Sequence, residues 1–351
     1  MEPRPMNVGI IGAGGISRLH YQGYLEAGSH VVALADANDA ILAERQRSWG
    51  VTRLYTDYHT LLEQPDIEAV SICLPNALHH PATLAAAKAG KHVLCEKPIS
   101  LSLDKADEMV RVCRDAGVVL QIGHHLRFEG ASTEAKRMID SGRLGRITHL
   151  RFRQAHDWGG ARAVRDSFGK LEQAGGGTLL DNGCHMFDLA RFFGGDVTDV
   201  YARTATLGFD VEVEDTALVS LQFASGAIGT LEAAWTATGW ENAFAVYGTT
   251  GALEYSNRFG EPTLRFSFRD SPGTTWDSPD LATFRYGGQG AHQRSVHSFL
   301  LAVQGLDDVV CTGEDGLEAV RLVLAAYESA KRVASVPVEE IQNVSLKQIV
   351  S

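Results

Sequence analysis

A chain of 351 residues is longer than one ordinary core accommodates, so two domains are expected. Its 44% hydrophobic and 21% charged residues are those of a globular protein, and a net charge of -11 argues against nucleic acid or an anionic membrane as main partner. No apolar run approaches transmembrane length, and the start, Met1-Glu2-Pro3-Arg4-Pro5-Met6, has no signal-peptide apolar core. Five scattered cysteines without a CxxC pattern fit reduced thiols, so a cytoplasmic location is expected.

The apolar run 8–11 leads into Gly12-Ala13-Gly14-Gly15-Ile16-Ser17, then a helical pattern to about residue 27, then the apolar run 31–35 ending on Asp36. This is strand, glycine turn, helix, strand, acid. Gly12 permits the tight turn, Gly14 lets backbone approach a pyrophosphate, and the helix N-terminus offers N–H groups and the positive dipole end. Asp36 stands where a carboxylate accepts hydrogen bonds from a ribose diol; a 2'-phosphate would meet like charge there, so NAD is expected over NADP. Ser17 replaces the third glycine of the fingerprint, and its small side chain still allows close helix–strand packing.

The alternation continues. Residues 69–74 read as a buried strand ending in Pro75-Asn76-Ala77-Leu78-His79-His80; a helix over 81–89 stops at Gly90; the strand 92–95 ends in Glu96-Lys97-Pro98. A helix over 103–116 precedes the strand 118–122, which ends in Gly123-His124-His125-Leu126-Arg127. Alternating strands and helices predict a doubly wound parallel sheet, a Rossmann fold, with ligands at the carboxyl ends of its strands. Asn76, His79, Glu96, Lys97, His124 and Arg127 all lie at or just past such ends. An NAD-binding domain over 1–125 is expected.

After a linking helix over 131–141 the pattern changes to period-two runs at 148–154, 197–206, 216–223, 227–234, 243–247, 252–255 and 263–268. They predict a large, mostly antiparallel open sheet in an α+β domain over 126–351, with a helix over 316–333. Substrate binding and oligomerisation, as a homodimer or homotetramer, are expected of it. One of its few other helices follows Gly175-Gly176-Gly177. In it Asp181 and His185 are i,i+4 neighbours on one face, and Asp188 continues that face. Read alone, such a pair is more often a helix cap and a surface histidine. Trp158 and Trp235 could wall a sugar pocket, although tryptophans at such positions are more often core. Asp181, His185 and Asp188 could in stereochemical terms hold a metal, but no HExxH-like pattern accompanies them, and no metal is expected.

The motifs Gly12-Ala13-Gly14-Gly15-Ile16, Leu74-Pro75-Asn76-Ala77-Leu78-His79, Glu96-Lys97-Pro98 and Gly175 through Asp188, with Thr312-Gly313-Glu314-Asp315-Gly316, occur in one order along the chain. The combination resembles the Gfo/Idh/MocA oxidoreductases, the glucose-fructose oxidoreductase and inositol 2-dehydrogenase family, over roughly the whole chain. The resemblance implies a catalytic group of Lys97, Asp181 and His185. It implies cofactor contacts from Gly12, Gly14, Gly15, Ile16, Asp36, Leu74, Pro75, Asn76, His79, Glu96, Lys97 and Arg127, with His124 toward the same site as a substrate contact. Two departures stand out: Ser17, and His124-His125 where many members carry an aromatic residue and an asparagine.

The roles then follow from charge. Oxidising a secondary alcohol requires loss of the hydroxyl proton as hydride leaves carbon. An imidazole titrating near neutrality suits His185 as general base, and Asp181 would orient it or touch the substrate. Lys97 can hydrogen-bond the reacting oxygen and stabilise its developing negative charge. The expected reaction is NAD-dependent dehydrogenation of a sugar, cyclitol or sugar derivative. Glycoside cleavage through a transient 3-keto sugar and a non-catalytic dinucleotide-binding regulator are the alternatives.

Overall fold

The computed structural model describes residues 2–157, 168–258, 263–270, 286–342 and 345–346. These form two compact units, Met1–Ser100 with Asp104–Glu129 and Phe284–Leu317, and Leu101–Leu103 with Gly130–Thr283 and Glu318–Ser351. The first is therefore not continuous in sequence. It takes back a segment from far along the chain.

Unit one is built on six strands, β1 (Asn7–Ile11), β2 (His30–Ala35), β3 (Arg53–Tyr55), β4 (Ala69–Ile72), β5 (His92–Cys95) and β6 (Leu120–Ile122), in the order β3-β2-β1-β4-β5-β6. All pairings are parallel, so the expected doubly wound sheet is present. Near-continuous apolar runs such as Ala69-Val70-Ser71-Ile72, buried at every position, are what a sheet covered on both faces requires. The strand order reverses between β1 and β4, which places a ligand crevice at their carboxyl ends.

The helices are set by local chemistry. Asn38 caps Asp39–Trp49 by accepting from the N–H groups of Ala40 and Ile41, and Gly50 ends it at φ 74°. The returning helix Ala291–Val303 is buried along most of its length and lays Val296, Phe299 and Leu300 into the core of Val8, Ile10, Tyr24 and Leu34. It approaches the helix Ser17–Glu26 at Gly23, where a Cβ would stand 2.9 Å from Val296 Cβ and 3.1 Å from Gln293 Cα.

Unit two carries β7 (Ile147–His156), β8 (Val197–Ala205), β9 (Thr216–Phe223), β10 (Ile228–Ala234), β11 (Trp240–Gly248), β12 (Gly251–Ser256), β13 (Thr263–Phe268) and β14 (Val336–Pro337). Their order is β13-β12-β11-β7-β10-β9-β8-β14. Only β7 and β10 pair in parallel; the other pairings are antiparallel. Burial alternates along β9, β10 and β12, so one face is apolar. The helix Cys184–Gly194 covers part of that face. Its Phe193 ring lies 6.1 Å from Phe152 and 5.1 Å from Phe244, and Phe244 in turn meets Tyr255 at 5.1 Å. Among the described residues no helix is long and apolar enough to cross a membrane.

Gly23 generates the first prediction. A helical Gly→Ala change normally stabilises by about 0.5–1 kcal/mol. Here the new methyl meets Val296 and the Gln293 backbone, and overpacking of about 1–3 kcal/mol should outweigh that gain. Gly23→Ala should lower the urea midpoint; an unchanged or higher midpoint would show that the two helices yield freely.

Candidate active site

At the end of β1 the turn is drawn tight. Gly12 adopts φ 93°, where L residues are strained, and a Cβ on it would stand 2.5 Å from the Cys73 carbonyl oxygen. Its N–H donates to Ala35 O at 2.8 Å, locking the turn to β2. Gly14 and Gly15, by contrast, have nothing within 4 Å of where a Cβ would be. The helix Ser17–Glu26 begins directly behind them, and no side chain caps its N-terminus, so the positive dipole end is left open to an anion. Ser17 Oγ, buried, donates to Gly14 O at 2.6 Å. That bond shapes the turn in place of the missing glycine.

Asp36 sits half-buried at the end of β2. It accepts from the N–H of Ala13 at 2.8 Å and of Asn38 at 2.9 Å, one to each oxygen. Each carboxylate oxygen has a second lone pair, so this anchoring leaves capacity for a diol. Arg45 Nε donates to Ala13 O at 3.1 Å from the other side of the same turn. An open glycine turn, an uncapped helix N-terminus and a carboxylate beside them fit a dinucleotide. Gly14, Gly15, Ile16 and Asp36 are the residues that would hold it.

The turns after β4, β5 and β6 are tied to one another. Leu74 and Pro75 lead into the single turn Asn76–Leu78. His79 is fully buried, with Nδ1 2.8 Å from Pro98 O and Nε2 2.9 Å from Leu74 O. Burial pushes its imidazole down while the two carbonyls hold it up, and burial prevails; the ring spans the turns after β4 and β5. Glu96 is 7% exposed, and its Oε1 lies 2.9 Å from His20 Nε2. Lys97 follows, half-buried, with its backbone N–H on Glu96 Oε2 at 3.2 Å and a cis bond to Pro98. His124 is buried beyond β6, and the His125 ring stacks on His292 with centroids 3.7 Å apart. Arg127 is 5% exposed and donates to Val310 O at 2.7 Å and Asp315 Oδ2 at 3.1 Å, which binds the returning segment to the sheet.

In unit two the triple glycine is a matter of clearance. Gly175 ends the helix Leu171–Ala174 at φ 82°, and a Cβ on Gly177 would stand 1.9 Å from Glu214 O. The buried Glu214 carboxylate accepts from the N–H of Gly177 (3.1 Å to each oxygen), the N–H of Leu179 (2.8 Å) and the Tyr327 hydroxyl (2.8 Å). Burial pushes its carboxyl up while these donors hold it down, and burial prevails.

The segment that follows is not the single regular helix expected. Residues Leu179–Gly183 form a π-helical turn, and the α-helix proper is Cys184–Gly194. Asp181 stands half-buried in the π turn, His185 buried in the first α turn, and Asp188 buried one turn further. Because π hydrogen bonds run i→i+5, the i,i+4 spacing of Asp181 and His185 does not carry the face relation an α-helix would impose; π turns recur at functional sites. Asn182, on the same turn, accepts through Oδ1 from His156 Nε2 (3.1 Å) and donates to Thr178 Oγ1 (3.2 Å). The His156 ring stacks on the exposed Trp240 at 4.3 Å.

Of the two tryptophans considered for a sugar wall, Trp235 is fully buried beside Val213, Phe168, Leu171, Phe209 and Val211, and serves the core of unit two. Trp158 lies outside the described residues. Several polar partners escaped the sequence reading: His20, Ser71, Tyr24 and His292 in unit one, and Glu214, Tyr327 and His156 in unit two. The one local signal was His20 and Tyr24, polar groups at i,i+4 on a helix that starts at the glycine turn.

His292 sets a pH dependence. Burial, helped by the charges of His20 and Lys97 against that of Glu96, lowers its imidazole from 6.5 to about 4. Unfolded His292 therefore binds a proton that the folded ring refuses, and stability falls as pH drops through 6.5 toward 4. His292→Gln should flatten the change in melting temperature between about pH 7 and 5; an unaltered slope in that variant would assign the effect elsewhere.

Residues 6–124 match the family described as "Oxidoreductase family, NAD-binding Rossmann fold", and residues 132–254 match "GFO/IDH/MocA C-terminal domain". The chain is 30% identical to myo-inositol 2-dehydrogenase of Thermotoga maritima, over 96% of this chain and 99% of that one. It is 33% identical to 1,5-anhydro-D-fructose reductase of Ensifer adhaerens, over 92% and 95%. The solved levoglucosan dehydrogenase in complex with NADH and levoglucosan superposes with a TM-score of 0.87 at 26% identity, over 95% of this chain and 100% of that one.

Proposed function

The chain belongs to the Gfo/Idh/MocA oxidoreductase family, and on that premise we propose that it moves a hydride between NAD and a secondary alcohol carbon of a sugar, cyclitol or sugar derivative. It is an NAD-binding oxidoreductase of a family of sugar dehydrogenases. The observation that carries the finer reading is the crevice at the ends of β1 and β4. Open space over Gly14 and Gly15 stands at the switch point of the sheet, and Lys97 lies at the end of the adjoining β5. The relatives named for inositol, anhydrofructose and levoglucosan favour a polyol with an oxidisable ring carbon.

Bound NAD would supply the hydride acceptor at its nicotinamide. The chain's own work is acid–base and electrostatic. His185 removes the hydroxyl proton, because a histidine changes charge near neutral pH and can both take and return it. Asp181 orients that ring or fixes a neighbouring substrate hydroxyl. Lys97 stabilises negative charge on the reacting oxygen. Asp36 selects a ribose diol over a 2'-phosphate by like-charge repulsion. The open sheet of unit two, whose solvent side carries Arg151, Arg153, Glu232 and Glu254, is read as the assembly face of a homodimer or homotetramer; a monomer mass in light scattering would remove that reading.

The deciding experiment is a turnover screen with NAD and NADP over cyclitols, aldoses, anhydrosugars and glycosides. Net NADH formation with a free polyol supports the proposal. Cleavage of a glycoside without net NADH supports the transient-oxidation alternative. NADH binding without turnover of any of them supports a regulator.

Two variants refine it. His185→Ala should lower kcat by ~10²-fold or more, the scale of a lost general base, and turnover at the parental rate would remove His185 from that role. Gly14→Ala meets open space in the protein, so its melting temperature should hold while NADH affinity falls by roughly 10-fold or more through loss of close backbone approach. Parental affinity in Gly14→Ala would place the pyrophosphate elsewhere.

A further inference from the structure

The glycine turn after β1 is gripped by side chains from three different places in the fold. Asp36, at the end of β2, accepts from the Ala13 N–H at 2.8 Å. Ser17, opening the helix Ser17–Glu26, donates its hydroxyl to Gly14 O at 2.6 Å. Between them, Arg45 of the helix Asp39–Trp49 donates its Nε–H to Ala13 O at 3.1 Å. The three peptide groups from Gly12 to Gly15 are thus each held by one side chain.

Asp36 and Ser17 belong to the dinucleotide fingerprint; Arg45 does not. Its side chain is nonetheless only 11% exposed. The guanidinium carbon stands 5.0 Å over the Trp49 ring, and that ring stacks on Tyr21 at 4.3 Å with planes 8° apart. Tyr21 donates its hydroxyl to Trp49 O at 3.0 Å, which joins the two helices next to the turn. Arg45 Nη1 meets the exposed Glu44 carboxylate at 2.6 Å, so the positive charge is answered within its own helix. A guanidinium laid on an aromatic ring has its rotamer restricted in advance, and the Nε–H stays directed at the turn.

We infer that Arg45 is a positioning residue of the dinucleotide site. By holding Ala13 O it sets the plane of the peptide between Ala13 and Gly14, and so presents the Gly14 N–H to the pyrophosphate. The inference deepens, and rests on, the reading of this turn as the seat of NAD. A trans peptide is planar, with its C=O and N–H on opposite sides, so fixing one end fixes the other. Gly14 has no side chain to restrict its backbone, and a Cβ there would meet nothing within 4 Å. The peptide before it therefore needs a restraint from outside. Flipped, it would set a carbonyl oxygen against the anion instead of a donor. What matters is the donated hydrogen, not the charge.

Two variants separate the hydrogen bond from the charge. Counted outward from Cβ, the amide nitrogen of glutamine falls where arginine has Nε, whereas methionine puts a methyl carbon there. Arg45→Gln keeps the donor without the charge, and Arg45→Met loses both at nearly the same stem length. NADH titrated by fluorescence should bind Arg45→Met about 10-fold more weakly than the parent, and Arg45→Gln within about 3-fold of it. ADP-ribose, which carries the pyrophosphate without the nicotinamide, should show the same order in competition against NADH. Parental NADH affinity in Arg45→Met overturns the inference. An equal loss in both variants also overturns it, because the charge would then be what counts. If Arg45→Met fails to fold, Arg45→Leu, likewise without a donor, is held to the same criterion.

Gly14→Ala, measured beside them, guards the reading on which the inference rests. Loss of NADH affinity in Gly14→Ala but not in Arg45→Met means that the turn seats the dinucleotide without help from Arg45. Parental affinity in both means that the reading of the turn has itself failed.

Discussion

A carboxylate at the buried end of a parallel strand must be paired or it will protonate, and in unit one that demand falls on Glu96. Its pairing with His20 reaches across three elements, because His20 leaves the helix that begins at the glycine turn, Ser71 belongs to β4, and Glu96 closes β5. Leaving a buried hydrogen-bonding group without its partner typically costs about 1–3 kcal/mol, and more when the group is charged. The strand ends where the dinucleotide crevice opens are thus held by an interaction at their back.

Unit two solves the same problem with a different donor set. Among the described residues no cation pairs with Glu214; it receives two backbone N–H groups and the Tyr327 hydroxyl at the start of the π turn that bears Asp181. Its neighbour Asp215 takes the N–H groups of Leu207, Gly208 and Phe209, and those bonds hold it ionised although burial opposes them. Buried polar groups that are fully satisfied specify a unique local geometry. In both units the residues proposed for chemistry sit on turns fixed by interior carboxylates.

The alternation of strand and helix in the first half, the change to period-two runs in the second, and the glycine turn followed by Asp36 were all legible. They are local signals, carried by residues within one or two elements of each other. The helix Ala291–Val303 was not anticipated as part of the first unit, since no short-range pattern reports that a segment folds back onto strands and a helix that lie more than two hundred and fifty residues earlier. The short β3 and β14 were missed for a related reason: three- and two-residue strands are defined by their partners, not by their own pattern. Nor did sequence reveal that Arg127 would be drawn to Asp315, because that pairing depends on a residue distant in the chain.

By itself the sequence determined the fold class, the dinucleotide turn and the acid that follows it, because glycine clearance, helix dipole and strand periodicity act over a few residues. Only the tertiary structure decided which polar groups face inward. On paper His79 and Glu96 are cofactor contacts at strand ends, while His20 and Glu214 carry no role; all four are buried with partners inside the protein. It also decided that the segment after the triple glycine begins as a π turn, a geometry imposed where Gly177 passes the Glu214 backbone and Glu214 takes the first N–H groups. The physical reason is the same throughout. Periodicity records which side of an element is apolar, whereas the partner of a buried charge is set by the elements that fold against it.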